Sequence, residues 1–306
     1  MARNYLSVDD LSREELDHVI ALSASTKAEP ERYAGRLAGR AVALIFEKPS
    51  TRTRVSFEVA VSSMGGHPVV LSSSDLQLGR GETIEDTGRV LSRYVDAIVL
   101  RTFEQERLEV LASATTVPVV NSLSDFEHPC QCLADLQTVR EWRGGVEGLV
   151  MTYLGDGNNV AHSLLLGGTK AGMVVRVSTP PGFEPIPQVV QRAKEIAGQT
   201  GGGVEIITDP KAAASGADVL YTDVWASMGQ EEEADERALV FPAYQLNQAF
   251  VDAASDDVVV LHCLPAHRGQ EITDEVIDGP RSAAWDQAEN RLHSQKALLL
   301  WLLGLA

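Results

Sequence analysis

Short apolar runs, rich in β-branched residues, alternate with amphipathic segments along the whole chain. Runs that are apolar at nearly every position are typical of strands buried on both faces of a parallel sheet. Four runs in the first half cover 41–46, 68–71, 97–100 and 118–121, and five in the second half cover 149–155, 173–178, 204–208, 218–224 and 258–264. Segments with helical periodicity, such as 82–95 and 187–199, lie between them. The pattern therefore predicts an α/β protein with two doubly wound parallel sheets.

A charged, glycine-rich patch at 141–148 follows a helical segment and predicts a domain boundary. We expect one domain over residues 1–140 and a second over 141–306. The apolar run at 297–306 is too short to span a bilayer. It predicts a terminal helix, about 286–306, that packs back on the first domain, with terminal helices packing across the two domains.

The chain is strongly acidic, with 43 acidic residues against 26 basic ones and a formal net charge of -17. This balance argues against nucleic acid or an anionic membrane as the main partner, since either favours a basic surface. The N-terminal residues lack the layout of a signal peptide. An odd, sparse set of cysteines predicts a reducing compartment without disulfides. We therefore expect a cytoplasmic protein with no membrane or nucleic-acid partner.

Polar residues stand where the predicted strands end, in both halves of the chain. In open α/β sheets, ligands bind beyond the carboxyl ends of the strands. The residues at these ends are Ser50–Arg54, Gln77, Arg101, Glu127–Pro129, Asp156, Asn158, Asn159, Asp223, His262 and Cys263. Two sheets with polar rims predict one active-site cleft between the two domains.

The stretch FEKPSTRTRVSFE, residues 46–58, places hydroxyls and arginines at a predicted helix start. Free backbone N–H groups and the helix dipole favour an anion there, and Arg52 adds a charge-assisted donor. The alternative is an ordinary Ser50 N-cap followed by exposed arginines. A nucleoside-triphosphate loop is excluded because the chain lacks the GxxxxGK[ST] pattern at this position.

Further candidates in the first half are a strand-end cation, Arg101, and the run HPCQC. The alternative to a site role for Arg101 is that it forms a structural salt bridge. A neutral His128 can donate to a carbonyl oxygen, and Gln131 can hold an amide or carbamoyl group. Two nearby thiols, Cys130 and Cys132, without a second pair make a poor zinc site, so we expect no metal.

The stretch YLGDGNN, residues 153–159, is close to a dinucleotide-binding fingerprint but has Val160 at the third glycine position. The following strand also ends without the acidic residue that binds a ribose hydroxyl. A nicotinamide dehydrogenase is therefore disfavoured. Side-chain amides here could instead hold an amino-acid carboxylate.

Two further strand ends carry Asp223 and Cys263. Asp223 can pair with an ammonium group, and the segment after it, with its Gly229 turn, could close over a substrate; the alternative is a surface loop with a capping aspartate. Cys263 could act as a thiolate near a cationic pocket, or be an inert buried thiol. Its neighbour His262 points to the opposite face of the strand, which argues against a catalytic pair.

Seven motifs, in this order, resemble the aspartate/ornithine carbamoyltransferase family over nearly the whole chain. They are FEKPSTRTRVSFE, LQLGRGET, LRTF, HPCQCLAD, GDGNN, DVWASMGQ and HCLPAHRGQEIT. The aspartate-using branch is expected to have Thr in place of Cys130 and a different run in place of HCLPA. The segment Ser227–Gly229 and Cys263 resemble the ornithine-using branch instead.

The resemblance implies transfer of a carbamoyl group from carbamoyl phosphate to the side-chain amine of L-ornithine. It implies a carbamoyl-phosphate-binding first domain and an ornithine-binding second domain. It also implies a homotrimer with active sites at subunit interfaces and no metal or organic cofactor. Gln77 is then expected to reach into a neighbouring subunit's site.

The family's functional residues carry over onto matching positions of this chain. Carbamoyl phosphate is expected to contact Ser50, Thr51, Arg52, Thr53, Gln77, Arg101, His128, Pro129, Cys130, Gln131, Cys263, Leu264 and Arg291. Ornithine is expected to contact Asn159, Asp223, Ser227 and Met228. The catalytic set implied is Arg52, Arg101, His128, Asp223 and Cys263. Arg291 would otherwise pass as a charge on a helix surface.

Several alternatives stay open at this point. A cysteine hydrolase fits Cys263 but leaves the arginines idle, and an amino-acid-binding module would need no phosphate site. Within the family, the acceptor could be putrescine or an acylated ornithine. The motifs do not distinguish arginine biosynthesis from the reverse, catabolic direction, and we expect the biosynthetic one.

Overall fold

The computed structural model describes residues 2–72, 81–226 and 231–306. The chain forms two compact units: Met1–Gln137 with Glu289–Ala306, and Thr138–Ala288. The division falls within two helices, α6 and α13, whose bounds are given below. The last residues of the chain thus belong to the first unit.

The first unit contains a four-stranded parallel sheet in the order β2-β1-β3-β4. The strands are β1 (Ala41–Phe46), β2 (His67–Ser72), β3 (Ala97–Arg101) and β4 (Val119–Leu123). The helices are α1 (Arg13–Ala28), α2 (Pro30–Tyr33), α3 (Thr51–Ser63), α4 (Ile84–Leu91), α5 (Gln105–Ala114) and α6 (Pro129–Arg143), and a short 3-10 turn covers Val8–Asp10. β1 and β3 are buried along nearly their whole length, as the unbroken apolar runs predict.

The second unit contains a five-stranded parallel sheet in the order β7-β6-β5-β8-β9. The strands are β5 (Val150–Leu154), β6 (Val174–Ser178), β7 (Gly203–Ile206), β8 (Val219–Thr222) and β9 (Val259–His262). The helices are α7 (Asn159–Lys170), α8 (Pro187–Thr200), α9 (Pro210–Ala214), α10 (Ala234–Val240), α11 (Gln248–Ala253) and α12 (Asp274–Ile277), with 3-10 turns at Glu231–Glu233 and Pro242–Tyr244. The last helix, α13 (Ala284–Leu302), begins in the second unit, and its residues from Glu289 onwards belong to the first.

These two sheets with flanking helices confirm the predicted α/β fold class. Each predicted run overlaps an observed strand, with ends that differ by up to two residues, and the runs 218–224 and 258–264 are trimmed to Val219–Thr222 and Val259–His262. Their polar ends leave the sheet, which places Asp223 and Cys263 directly after strands that pair in register. At this edge of the second sheet, Asp223 and Cys263 follow the last paired residues of β8 and β9. No helix within the described ranges is long and apolar enough to cross a bilayer.

Candidate active site

In the first unit, the hydroxyls and arginines of the STRTR motif lie at the N-terminus of α3. Ser50 is the N-cap, and its side chain accepts a hydrogen bond from the Thr53 backbone N–H at 3.3 Å. Thr51 and Arg52 are exposed, whereas Thr53 is buried. Ser50 thus has the capping role that was the alternative to anion binding, and its own hydroxyl proton can still be donated to a ligand.

Arg291, which passes for a surface charge in the sequence, is buried against this helix start. One nitrogen, Nη2, donates to the Thr53 hydroxyl at 2.9 Å, and Nη1 donates to the Gln131 amide oxygen at 2.5 Å. The Gln131 amide nitrogen donates in turn to Asp135 at 2.7 Å. The guanidinium therefore ties the start of α3 to the start of α6. The amide of Gln131 is held on both sides, and its predicted carbamoyl contact stays a prediction.

His128, directly before α6, is buried among cationic side chains. Burial lowers its pKa well below the ordinary value, and the positive charges of Arg291, Arg101 and Arg52 lower it further. All three guanidiniums therefore lie close enough to His128 to repel a proton on its ring. Arg101 ends β3 and is itself buried. The result is a cationic pocket around a neutral imidazole, which suits an anionic ligand with a carbonyl oxygen.

The low pKa of His128 gives a testable expectation. We expect its ring to stay neutral between pH 6 and 8, because both burial and the neighbouring arginines disfavour the imidazolium. NMR of the histidine-labelled protein over this range measures the titration, and a His128→Gln variant identifies the resonance. A midpoint for His128 inside this window would contradict the cationic pocket.

The two thiols of the HPCQC run are buried. The Cys130 thiol donates to the Asn121 carbonyl oxygen at 3.3 Å, and burial raises its pKa to about 12. Cys132 is also buried. Within the described ranges, no group of three or more His, Cys, Asp and Glu side chains is arranged to hold a metal ion.

In the second unit, Asp223 lies at the centre of a hydrogen-bonded cluster beyond β8. Its Oδ1 atom accepts from the Cys263 thiol at 2.9 Å and from the Val224 backbone N–H at 2.8 Å. Its Oδ2 atom accepts from the Asn158 amide at 3.0 Å. Asp223 is 6% exposed, so its carboxylate is largely removed from solvent. In this geometry Cys263 is a thiol that donates, and a thiolate would face a carboxylate at the same distance.

The two asparagines after β5 have different positions. Asn158 caps α7, accepting from the backbone N–H groups of Val160 and Ala161 at 3.0 and 3.2 Å. Its amide is thus used for structure, although the sequence offered both asparagines for a carboxylate. Asn159 is the first residue of α7 and is half-buried, so it remains the candidate of the two.

His262 turns away from Cys263, as the strand alternation predicts. Its Nε2 lies 3.0 Å from the Glu271 carboxylate, and its Nδ1 accepts from the Leu264 backbone N–H at 2.9 Å. This bond fixes the proton on Nε2, where it faces the buried Glu271. Leu264 has a left-handed backbone with φ of 57° and precedes a cis Pro265. His262 therefore supports the backbone after Cys263 and does not face its thiol.

The structure brings the predicted site residues into two groups. The first unit holds Ser50, Thr51, Arg52, Thr53, Arg101, His128, Pro129, Cys130, Gln131 and Arg291, and the second holds Asn159, Asp223, Cys263 and Leu264. Gln77, Ser227 and Met228 lie outside the described residues. One buried cation that the motifs did not single out, Arg237, binds Asp156 in the second unit. Arg237 directly follows the acidic run 231–236, and nothing in that run indicates that the arginine is buried.

Comparison with known proteins gives two family matches that together cover most of the chain. Residues 3–141 match the aspartate/ornithine carbamoyltransferase carbamoyl-P binding domain, and residues 147–302 match the Asp/Orn binding domain. A protein of Parafrankia sp. named ornithine carbamoyltransferase is 61% identical over 99% of this chain and 96% of its own length. A protein of Acidothermus cellulolyticus with the same name is 58% identical over 100% of this chain and 98% of its own length.

A solved structure shares the fold as well. The ornithine carbamoyltransferase from Pyrococcus furiosus superposes with a TM-score of 0.96 at 52% identity, covering 99% of this chain and 97% of that one.

Proposed function

The chain belongs to the aspartate/ornithine carbamoyltransferase family, and on that premise we propose that it transfers the carbamoyl group of carbamoyl phosphate to the side-chain amine of L-ornithine. The products are L-citrulline and phosphate. The observation that carries the proposal is the cationic pocket around neutral His128 in the unit that matches the carbamoyl-P binding domain. The names of the relatives at 58–61% identity support ornithine as the acceptor.

In the proposed complex, the phosphate group binds at the start of α3. Donors come from Ser50, Thr51, Arg52 and Thr53, with Arg101 from the end of β3 and Gln77. A helix N-terminus and guanidinium groups are both suited to phosphate. The Thr53 hydroxyl already accepts from Arg291, which leaves its proton to point at the ligand.

We propose that the carbamoyl group binds next to the phosphate, against His128. Pro129, Cys130, Gln131, Leu264, Cys263 and Arg291 complete its surroundings. His128 is neutral, so its ring N–H can donate to the carbonyl oxygen without the cost of holding an imidazolium charge in a cationic pocket. The carbonyl oxygen then gains negative charge where three guanidiniums are near.

The amino acid, in this proposal, binds at the rim of the second sheet. Asn159 contacts its carboxylate, and Asp223 with Cys263 contacts its side-chain ammonium, with Ser227 and Met228 completing the site. A carboxylate that already accepts three hydrogen bonds is a fixed, pre-oriented anion. An ammonium group beside the Asp223 carboxylate would also lower the electrostatic cost of a Cys263 thiolate.

The reaction forms one bond and breaks one. The neutral amine nitrogen of ornithine attacks the carbamoyl carbon, and the carbonyl oxygen takes the electron pair. The intermediate expels phosphate as the carbon–oxygen bond breaks, and the surplus proton on the attacking nitrogen passes to the leaving phosphate. Arg52, Arg101 and His128 stabilise the oxyanion. In water the amine has a pKa near ~10.4, so a proton must leave first, and Asp223 or Cys263 is the proposed acceptor. Holding both substrates next to each other in the predicted interdomain cleft further lowers the activation barrier.

A direct assay tests the function. The protein is incubated with carbamoyl phosphate and ornithine, and citrulline and phosphate are measured; equal amounts of the two are expected. Parallel reactions with aspartate, putrescine and N-acetylornithine test the other acceptors. Turnover with one of these and none with ornithine would overturn the substrate assignment.

Replacing Cys263 by alanine tests its role in proton removal. We expect kcat to fall by about 10- to 100-fold and its dependence on pH to change, because the thiol is hydrogen-bonded to the proposed ammonium partner. Steady-state rates from pH 6 to 10 measure both. If kcat and the pH profile match those of the unmodified protein, Cys263 takes no part in proton transfer.

The domain, assembly and cellular assignments are also part of the proposal. The functional domains proposed are residues 1–140 for carbamoyl phosphate and 141–306 for ornithine, with the helix at about 286–306 returning to the first. We propose a cytoplasmic homotrimer in which Gln77 serves a neighbouring site. Exposed Val55 and Val59 on α3 offer an apolar face to another copy. A native mass three times that of the chain is expected by light scattering, and a monomer would contradict the trimer.

The direction of the reaction in the cell is proposed to be citrulline synthesis for arginine production. A catabolic enzyme would instead work from citrulline and phosphate. The requirement for arginine of a strain that lacks the protein distinguishes the two, since only loss of a biosynthetic enzyme creates that requirement.

A further inference from the structure

Arg237, on α10, is a buried cation that binds two separate loops of the second unit. Its Nη1 atom donates to the Asp156 carboxylate at 2.6 Å and to the Trp225 carbonyl oxygen at 2.7 Å. Its Nε atom donates to Glu233 at 3.0 Å. The guanidinium carbon also lies 5.0 Å from the centre of the Phe183 ring. Arg237 is 5% exposed, so its bond to the buried Asp156 is shielded from solvent, whereas its partner Glu233 is exposed.

The two loops that Arg237 binds carry the proposed ornithine contacts. Asp156 precedes Asn159 by three residues beyond β5, and Trp225 follows Asp223 by two residues beyond β8. The Asn158 amide already joins the loops by its bond to Asp223. Arg237 adds a second connection, between Asp156 and the Trp225 carbonyl oxygen. Two connections fix both the separation of the loops and their relative orientation, which one alone does not.

The loop after β5 is also held from a third side. The Gly157 backbone N–H donates to the Phe183 carbonyl oxygen at 2.8 Å. A side chain at Gly157 would meet the Pro185 backbone nitrogen at 2.3 Å, so the loop sits directly against the backbone before α8. Phe183 in turn packs edge-on against Phe241, with ring centres 4.8 Å apart. The backbone of Phe183 therefore binds the loop after β5, and the ring of Phe183 lies against Phe241 and Arg237.

The pair formed by Arg237 and Asp156 requires both partners. Burial raises the pKa of Asp156 above its ordinary range, and the hydrogen bond and positive charge of Arg237 oppose that rise. A carboxylate left alone at this depth would carry a large desolvation penalty. A lysine could supply the charge but not the planar fork that serves Asp156, Trp225 and Glu233 at once.

We propose that Arg237 is a positioning residue that sets the separation between Asn159 and Asp223, and through it the affinity for the amino-acid substrate. It does so without touching the substrate. The inference rests on the proposed function, since it takes Asn159 and Asp223 as the contacts for ornithine. Small displacements of oriented groups have large effects on binding and rate.

Two single substitutions test the proposal in the full-length protein. For Arg237→Lys and Arg237→Gln we expect the KM for ornithine to rise at least about tenfold, with kcat changed less than about threefold. The KM for carbamoyl phosphate is expected to change less than about twofold, because its proposed donors lie in the first unit. Arg192→Gln, on the exposed face of α8, is the matched control and should leave all three values unchanged.

A double variant separates positioning from stability alone. Asp156→Asn with Arg237→Gln removes both charges, so no unpaired carboxylate is left buried. We expect the melting temperature to recover from that of Arg237→Gln towards that of the unmodified protein, while the KM for ornithine stays raised. If KM recovers together with the melting temperature, Arg237 is structural only and the proposal is overturned.

Different results would refute the positioning role of Arg237 and the proposed function. An unmodified protein that forms no citrulline would refute the proposed function. An unmodified protein that forms citrulline, with Arg237→Lys retaining the same KM for ornithine, would refute the positioning role alone.

Discussion

We expect Arg52→Gln to lower kcat/KM for carbamoyl phosphate by about 1000-fold, or roughly 4 kcal/mol of transition-state stabilisation. Arg52 lies at the exposed N-terminus of α3, and its charge reaches the ring of buried His128. Glutamine keeps a hydrogen-bond donor but loses the positive charge. Loss of the charge weakens phosphate binding and stabilisation of the oxyanion, so we expect KM for carbamoyl phosphate to rise and kcat to fall.

Steady-state kinetics at saturating ornithine measure this effect. Arg32→Gln is the control, since Arg32 is an exposed arginine of α2 in the same unit and pairs with Glu29, three residues earlier. We expect it to leave kcat/KM within about twofold. A loss below about tenfold for Arg52→Gln would remove Arg52 from the proposed catalytic set.

The second large effect is expected for Asp223→Asn, with kcat/KM for ornithine reduced by about 1000-fold. The substitution removes the negative charge proposed to bind the ammonium. It also sets an amide nitrogen against the Asn158 amide that now donates to Oδ2, or withdraws the acceptor from Cys263. One orientation of the new amide loses the bond from Asn158, and the other loses those from Cys263 and the Val224 backbone N–H.

The KM for carbamoyl phosphate separates this effect from general damage to the fold. It should stay within about threefold in Asp223→Asn, because the proposed phosphate donors belong to the first unit. Asp252→Asn, at an exposed position of α11 where the carboxylate accepts from Gln248, is the matched control. Equal losses for the two substrates would count against an ammonium site at Asp223.

The sequence alone predicted the strands and the positions of the polar rims. Unbroken apolar runs identify parallel strands because both faces of such a sheet are buried, and parallel strands bring all their carboxyl ends to one edge. Asp223 and Cys263 could therefore be placed at that edge, 40 residues apart in the chain, and the structure joins them by a hydrogen bond. Strand alternation likewise predicted that His262 and Cys263 face apart.

The local periodicity did not reveal which of the polar side chains have structural partners. Asn158 and Asn159 are indistinguishable in the sequence, yet Asn158 caps α7 and bonds Asp223. The amide of Gln131 is likewise engaged by Arg291 and Asp135. A side chain's partners depend on where its neighbours fall in three dimensions, and adjacent residues on a turn differ in direction by large angles.

The sequence by itself determined the fold class, the family and the edge of each sheet at which chemistry is expected, because these follow from periodicity and from short motifs. Only the tertiary structure decided that Arg291 and Arg237 are buried. Each looks like a surface charge on a polar helical segment, and each binds residues far away in the chain: Arg291 to Thr53, 238 positions distant, and Arg237 to Asp156, 81 positions distant. Contacts over such separations depend on how the whole chain packs, which no local pattern encodes.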